Sequence, residues 1–155
     1  MDRVPLPAKV LGQLWLAGKH YVGPDPVAAL AECGCDTVVC LCESFEFEDR
    51  YPDYAAWLDS SVGADRSVWW PIPDLHAPPL ESARSLVAEI ARRLDAGEGV
   101  LVHCGAGMGR AGTIAAAVLM HYGLTLDEAL EAVGTARPGA GPEAGVQKEL
   151  LERMG

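Results

Sequence analysis

The sequence predicts an α/β fold: a central, mostly parallel sheet flanked by helices. Three observations lead there. Short runs of β-branched and aliphatic residues recur over 13–17, 37–42, 67–70 and 99–102. Segments of helical period alternate with them. The 17 glycines and 11 prolines punctuate these elements, with no linker, low-complexity tract or internal repeat between them.

In chain order, QLWLA over 13–17 reads as a short strand. Asp25 is an N-cap and Pro26 the first position of a helix, PVAALAEC, that Gly34 stops. TVVCLC over 37–42 is apolar on both faces and reads as a buried strand. A short helix is expected over 51–59, then a strand, SVWW, ended by Pro71 and Pro73. Over 79–96, Leu80, Ala83, Leu86, Val87, Ile90 and Leu94 form one stripe of an amphipathic helix closed by Gly97. GVLV over 99–102 is another buried strand, running to His103. An apolar helix follows over 111–122. Thr125 then caps LDEALEAV, and the last helix is expected over 142–154.

A chain of 155 residues sets one domain as the prior and buries a core without staples. Lys and Arg number 12 against 22 Asp and Glu, a formal net charge of −10. That balance excludes a general nucleic-acid or anionic-membrane binder, although a local pocket can still hold a small anion. No apolar run approaches the roughly 20 residues of a membrane span, and the N-terminus lacks the apolar core of a secretion signal. The expected location is the cytoplasm, where the five cysteines are thiols. Cys33, Cys35, Cys40 and Cys42 lack the usual zinc-knuckle spacing and are read as core and loop thiols, with no metal and no cofactor expected.

The chemistry concentrates in VLVHCGAGMGRAGT over 100–113. A strand ends at His103, Cys104 follows, and Arg110 opens a helix after five intervening residues. Gly105, Gly107 and Gly109, with Ala106 and Met108 between them, let the chain curl so that backbone N–H groups point inward. The helix N-terminus adds partial positive charge, and the Arg110 fork holds two oxygens of a phosphoryl group. The loop reads as a cup for a tetrahedral dianion, with Cys104 at its base as a thiolate of lowered pKa. Attack on phosphorus through phosphocysteine follows. His103 is read as shaping the loop by hydrogen bonding to backbone, not as a base. The acidic run ESFEFEDR over 43–50 is read as a solvated loop on the cup's side of the molecule.

HCGAGMGR resembles the HC-x5-R signature of the cysteine-dependent protein tyrosine and dual-specificity phosphatases, and Arg110 to Thr113 continues the match. The resemblance implies a single phosphatase catalytic domain over 1–155, of the small dual-specificity type. WPIPDLHAPP resembles the family's acid loop, which makes Asp74, thirty residues before Cys104, the proton donor to the leaving oxygen. His76 beside it is read as a solvated loop histidine. ARPGAGPEAGVQ resembles the family's RPG segment, and Gln147 is implied to orient the hydrolytic water. The early strands resemble those of kinase-associated phosphatases, which implies a reversible disulfide between Cys42 and Cys104. Ala111 stands where relatives usually carry Ser or Thr, which implies a slowed second step. The implied substrate is a phosphoprotein or phosphopeptide carrying phosphotyrosine, with phosphoserine and phosphothreonine open and the oligomeric state unspecified. Two other readings stay open: a phosphate-binding pseudophosphatase module with little turnover, and a rhodanese-type sulfur transferase.

Overall fold

The computed structural model describes residues 1–155, the surroundings of Gly63 excepted. Five strands form one sheet: β1 (Asp2–Val4), β2 (Gln13–Gly18), β3 (Thr37–Cys40), β4 (Ser67–Trp69) and β5 (Gly99–Cys104). Their order is β1-β2-β5-β3-β4, all parallel except β1, which pairs antiparallel with β2. β1 is the one strand the sequence reading lacks. Its three residues carry no period of their own and pair only through β2.

β5 is buried at all six positions because it lies between β2 and β3 and both its faces are covered. Its C-terminal end therefore opens at the middle of the sheet's carboxyl edge, where parallel sheets place their ligands. Gly18 and Cys104 are register partners there, as are Cys40 and His103.

Two apolar clusters cover the two faces. One joins Leu14, Leu16, Val39, Val100, Val102 and Cys104 to α4 (Leu80–Asp95), α5 (Gly109–His121), α6 (Leu126–Ala136) and α7 (Gly145–Met154). The other joins Ala17, Val38, Cys40, Cys42 and Leu101 to α1 (Lys19–Val22), α2 (Pro26–Cys33) and α3 (Pro52–Gly63). α2 begins and ends as its caps require: the Asp25 side chain accepts from Ala28 N at 3.0 Å, and Gly34 takes φ 68°. α5 starts two residues earlier than expected because Gly109 and Arg110 already belong to its first turn. The last helix starts three residues later, at Gly145.

None of the helices in the described residues is long and apolar enough to cross a membrane.

Candidate active site

Residues 105–108 link β5 to α5, and their four carbonyls are all held from outside the loop. Gly105 O accepts from Lys19 N at 2.9 Å, and Met108 O from Gly141 N at 3.1 Å. Arg137 takes the two between, donating from Nη2 to Ala106 O at 2.9 Å and from Nε to Gly107 O at 3.0 Å. A peptide's N–H points opposite to its C=O, so anchoring the carbonyls outward turns the following N–H groups into the cup. Gly107 adopts φ 76°, and a Cβ there would overlap the Ala17 carbonyl, so this position demands glycine.

Cys104 lies beneath the cup, 3% exposed. Its sulfur accepts from Ala111 N at 3.4 Å. The expected lowering of its pKa is not what the surroundings give. Burial pushes the thiol up, and Ala111 N–H, the Arg110 charge and Gly107 N–H pull it back without offsetting burial. The sequence reading counted the cup's positive groups but not the depth of the sulfur, and it did not find the carboxylate that pairs with Arg110.

That carboxylate is Glu46, in the 3-10 turn Ser44–Glu46, and it corrects the reading of 43–50 as a solvated loop. Its side chain is 10% exposed. It takes Arg110 end-on, Nη1 donating to Oε2 at 2.8 Å and Nη2 to Oε1 at 2.7 Å. Burial pushes the Glu46 carboxyl up, but hydrogen bonds from Arg110 and Glu43 N–H, with the charges of Arg110 and Lys19, outweigh it and hold it below its ordinary value. Arg110 Nη1 also donates to Ile72 O at 2.7 Å. Among the described residues, Arg110 Nε is buried with no hydrogen-bond partner. Nε and Nη2 share one edge of the guanidinium, so Glu46 fixes one edge of the fork and leaves the other for a ligand.

Asp74 reaches this site from the loop after β4. Its Oδ1 lies 3.5 Å from Arg110 Nη2, and its side chain is 72% exposed. A cavity of about 370 Å³ is lined by Cys104, Gly105, Ala106, Gly109, Arg110 and Asp74, with Lys19, His20, Glu46 and Glu143 at its sides.

His103 is fully buried behind the loop. Its Nδ1 lies 3.2 Å from Cys104 O, a pure acceptor, so that nitrogen carries the proton. Its Nε2 then accepts from Tyr54 hydroxyl at 2.5 Å. Both nitrogens are engaged, in keeping with a loop-shaping role. Thr113 stays inside α5, donating to Gly109 O at 2.7 Å, and does not line the cavity. Gln147 is also away from the lining, 1% exposed and bonded to backbone at both ends of its amide.

Cys42 packs with Cys40 and His103, their sulfur and ring-nitrogen atoms within 4.8 Å of one another, and the two cysteines belong to the apolar cluster that excludes Cys104. The hydrogen bond with Cys40 and burial push the Cys42 thiol up. It is still near enough to Cys104 to raise that thiol further.

A family model described as "Swiss Army Knife protein, DSP-PTPase phosphatase domain" matches residues 16–144, which include Asp74, Cys104 and Arg110. The chain belongs to this family. It is therefore a member of the cysteine-dependent protein tyrosine phosphatase superfamily, of small dual-specificity type. Dual specificity protein phosphatase 22-B of Danio rerio is 42% identical over 74 residues, 47% of this chain and 40% of that protein. Dual specificity protein phosphatase 1 of Arabidopsis thaliana is 47% identical over 57 residues, 36% of this chain and 29% of that protein. The matched segments thus cover less than half of either curated relative. The crystal structure of Tk-PTP in its active form has a TM-score of 0.73 at 29% identity, covering 99% of this chain and 95% of that one. Human DUSP28, at 23% identity and TM-score 0.70 over 99% of this chain and 94% of its own, shares the fold.

Arg137 and Glu46 are the site residues the sequence reading missed. Arg137 lies within the RPG segment already noted, but nothing local marks a side chain that grips a loop 30 residues away. Replacing Arg137 by leucine releases two loop carbonyls. It is expected to weaken inorganic phosphate binding about tenfold, the scale of one charge-assisted hydrogen bond, as read by calorimetry. Unchanged affinity would mean that the loop holds its form without Arg137.

Proposed function

We propose that this domain hydrolyses phosphomonoesters on tyrosine side chains of proteins or peptides, through a phosphocysteine on Cys104. The observation that carries the reading is the buried Cys104 sulfur beneath a loop with four outward-anchored carbonyls, beside the unpartnered Nε of Arg110.

In the first step the Cys104 thiol passes its proton to an oxygen of the bound phosphoryl dianion and attacks phosphorus as the thiolate. The S–P bond forms as the ester P–O bond breaks, and Asp74 gives its proton to the departing oxygen. Loop N–H groups and the free edge of Arg110 hold the phosphoryl oxygens as charge redistributes. In the second step water attacks phosphorus and Asp74 takes its proton. The S–P bond breaks to return the thiolate and inorganic phosphate. The chain's own groups supply the charge that a metal ion supplies in other phosphatases.

The acidic surroundings favour a singly phosphorylated substrate over a multiply anionic one. The protein carries −10 overall, and Glu46, Asp74 and Glu143 all line the cavity.

Hydrolysis of para-nitrophenyl phosphate between about pH 5 and 8, with reductant and no added metal, tests the reading. Wild type is expected to turn over. Asp74→Asn should lose roughly 100- to 10,000-fold, the range for a positioned general acid. Phosphate binding without turnover would instead identify a binding module. Ala111, whose N–H already reaches the sulfur, places no hydroxyl there to ease its departure. Ala111→Ser is accordingly expected to raise kcat severalfold and leave kcat/KM within about twofold; an unchanged kcat would count against a slow second step.

Under mild peroxide the Cys104 thiolate would be oxidised to a sulfenic acid, and Cys42 would displace water to form a disulfide. Peptide mapping is expected to find that link, and its absence would remove it.

A further inference from the structure

We infer that Gln147 is a positioning residue that ties the acid loop over the cup, an inference that rests on the phosphatase reading of the same site. Gln147 sits on the first turn of α7, 1% exposed. Its Nε2 donates to His76 O at 3.1 Å, across 71 residues of chain. Its Oε1 accepts from Glu143 N at 2.7 Å and from Ala144 N at 3.3 Å. The amide thus bridges the start of α7 to the loop that carries Asp74, and all its bonds go to backbone. The expectation that it orients water gives way to a different task, because the side chain is buried and does not line the cavity.

The loop needs such a tie. Leu75 is half-exposed and takes φ 63°, a conformation that an aliphatic residue adopts only when its surroundings impose it. The bonds from Leu75 N to Asp74 Oδ1 and from His76 N to Pro73 O lie inside the loop and move with it. Among the described residues, segment 73–78 reaches the rest of the protein by two polar contacts: Asp74 to Arg110, and His76 to Gln147. The first is lost in use. A phosphoryl group on the Nε and Nη2 edge of Arg110 takes the place of Asp74, whose carboxyl turns to the leaving oxygen. The bond from Gln147 then remains as the loop's tie.

Gln147→Glu separates the two ends of the amide. A carboxylate still accepts from Glu143 N and Ala144 N, which keeps the helix start. It cannot donate to His76 O and repels it. Gln147→Met, similar in volume and unable to hydrogen-bond, is the second variant, and melting temperature reports folding for both. The substrates are phenyl phosphate, whose leaving group needs the acid, and 2,4-dinitrophenyl phosphate, whose leaving group does not. kcat/KM covers events up to cleavage of the ester bond, so a water-orienting residue would lower kcat for both esters and leave kcat/KM intact. The positioning role predicts a fall in kcat/KM of about tenfold or more for phenyl phosphate. It also predicts a change under about twofold for the dinitrophenyl ester, and no further loss when Gln147→Glu is added to Asp74→Asn. Equal losses on the two esters, or losses that add to Asp74→Asn, overturn it while leaving the phosphatase reading intact. A folded wild type that cleaves neither ester overturns the phosphatase reading, and this inference with it.

Discussion

Replacing Arg110 by lysine is expected to lower kcat/KM for aryl phosphates by roughly 100- to 1,000-fold, the scale for losing a positioned donor to a developing oxyanion. The guanidinium serves two protein partners at once and keeps a third nitrogen unbonded. Nη1 is held by Ile72 O and Glu46 and Nη2 by Glu46, while Nε is buried with no hydrogen-bond partner among the described residues. An ammonium has one nitrogen. It can stay with Glu46 and Ile72 O or follow the phosphoryl group, but it cannot present a flat pair of donors while anchored behind. Both kcat and kcat/KM should fall, because the transition state gains more from the fork than the ground state does. A loss under about tenfold would show that the loop N–H groups carry nearly all the stabilisation.

Glu46→Gln is expected to cost about 3 kcal/mol of stability, the low end for removing one partner of a buried ion pair, because glutamine still accepts one hydrogen bond. For a domain of this size that corresponds to a fall in melting temperature of about 6–12 °C. The sign with pH follows from the direction of the shift. The folded protein holds the Glu46 carboxyl below its ordinary value of 4.5. Its contribution is fully present above that value and is lost as pH falls through the folded one. The gap between wild type and variant should therefore close in acid. Freed of its counter-charge, Arg110 acts more strongly on Cys104, so the midpoint of Cys104 alkylation by iodoacetamide should move to lower pH. Equal melting temperatures at neutral pH, with an unmoved alkylation midpoint, would mean that Glu46 neither holds nor shields Arg110.

Local chemistry explains which parts were legible in the sequence. The 103–113 segment announces itself because cysteine, glycines and arginine must be close in chain to share one loop. Asp74 is legible only through the resemblance of WPIPDLHAPP to the family's acid loop, thirty residues before Cys104. Strands and helices follow from period and caps, and β5 runs two residues past its apolar stretch to Cys104, where the glycine-rich loop begins. Glu46 was not legible. A carboxylate in ESFEFEDR looks the same whether water or a guanidinium 64 residues away satisfies it. Arg137 and Gln147 share that difficulty, since each acts on the carbonyls of a loop far away in sequence. The raised Cys104 thiol was missed for a related reason. Burial of the sulfur is a property of packed helices, not of the motif.

The most direct test of the phosphocysteine is its capture. Wild-type protein mixed with an aryl phosphate, quenched in denaturant within milliseconds and read by intact mass and peptide mapping, should carry one phosphoryl group on Cys104. Because Ala111 brings no hydroxyl to the departing sulfur, the adduct is expected to accumulate, and Cys104→Ser should carry none and turn over at least about 10,000-fold more slowly. Phosphate release by wild type with no adduct on Cys104, and preserved in Cys104→Ser, would contradict the mechanism.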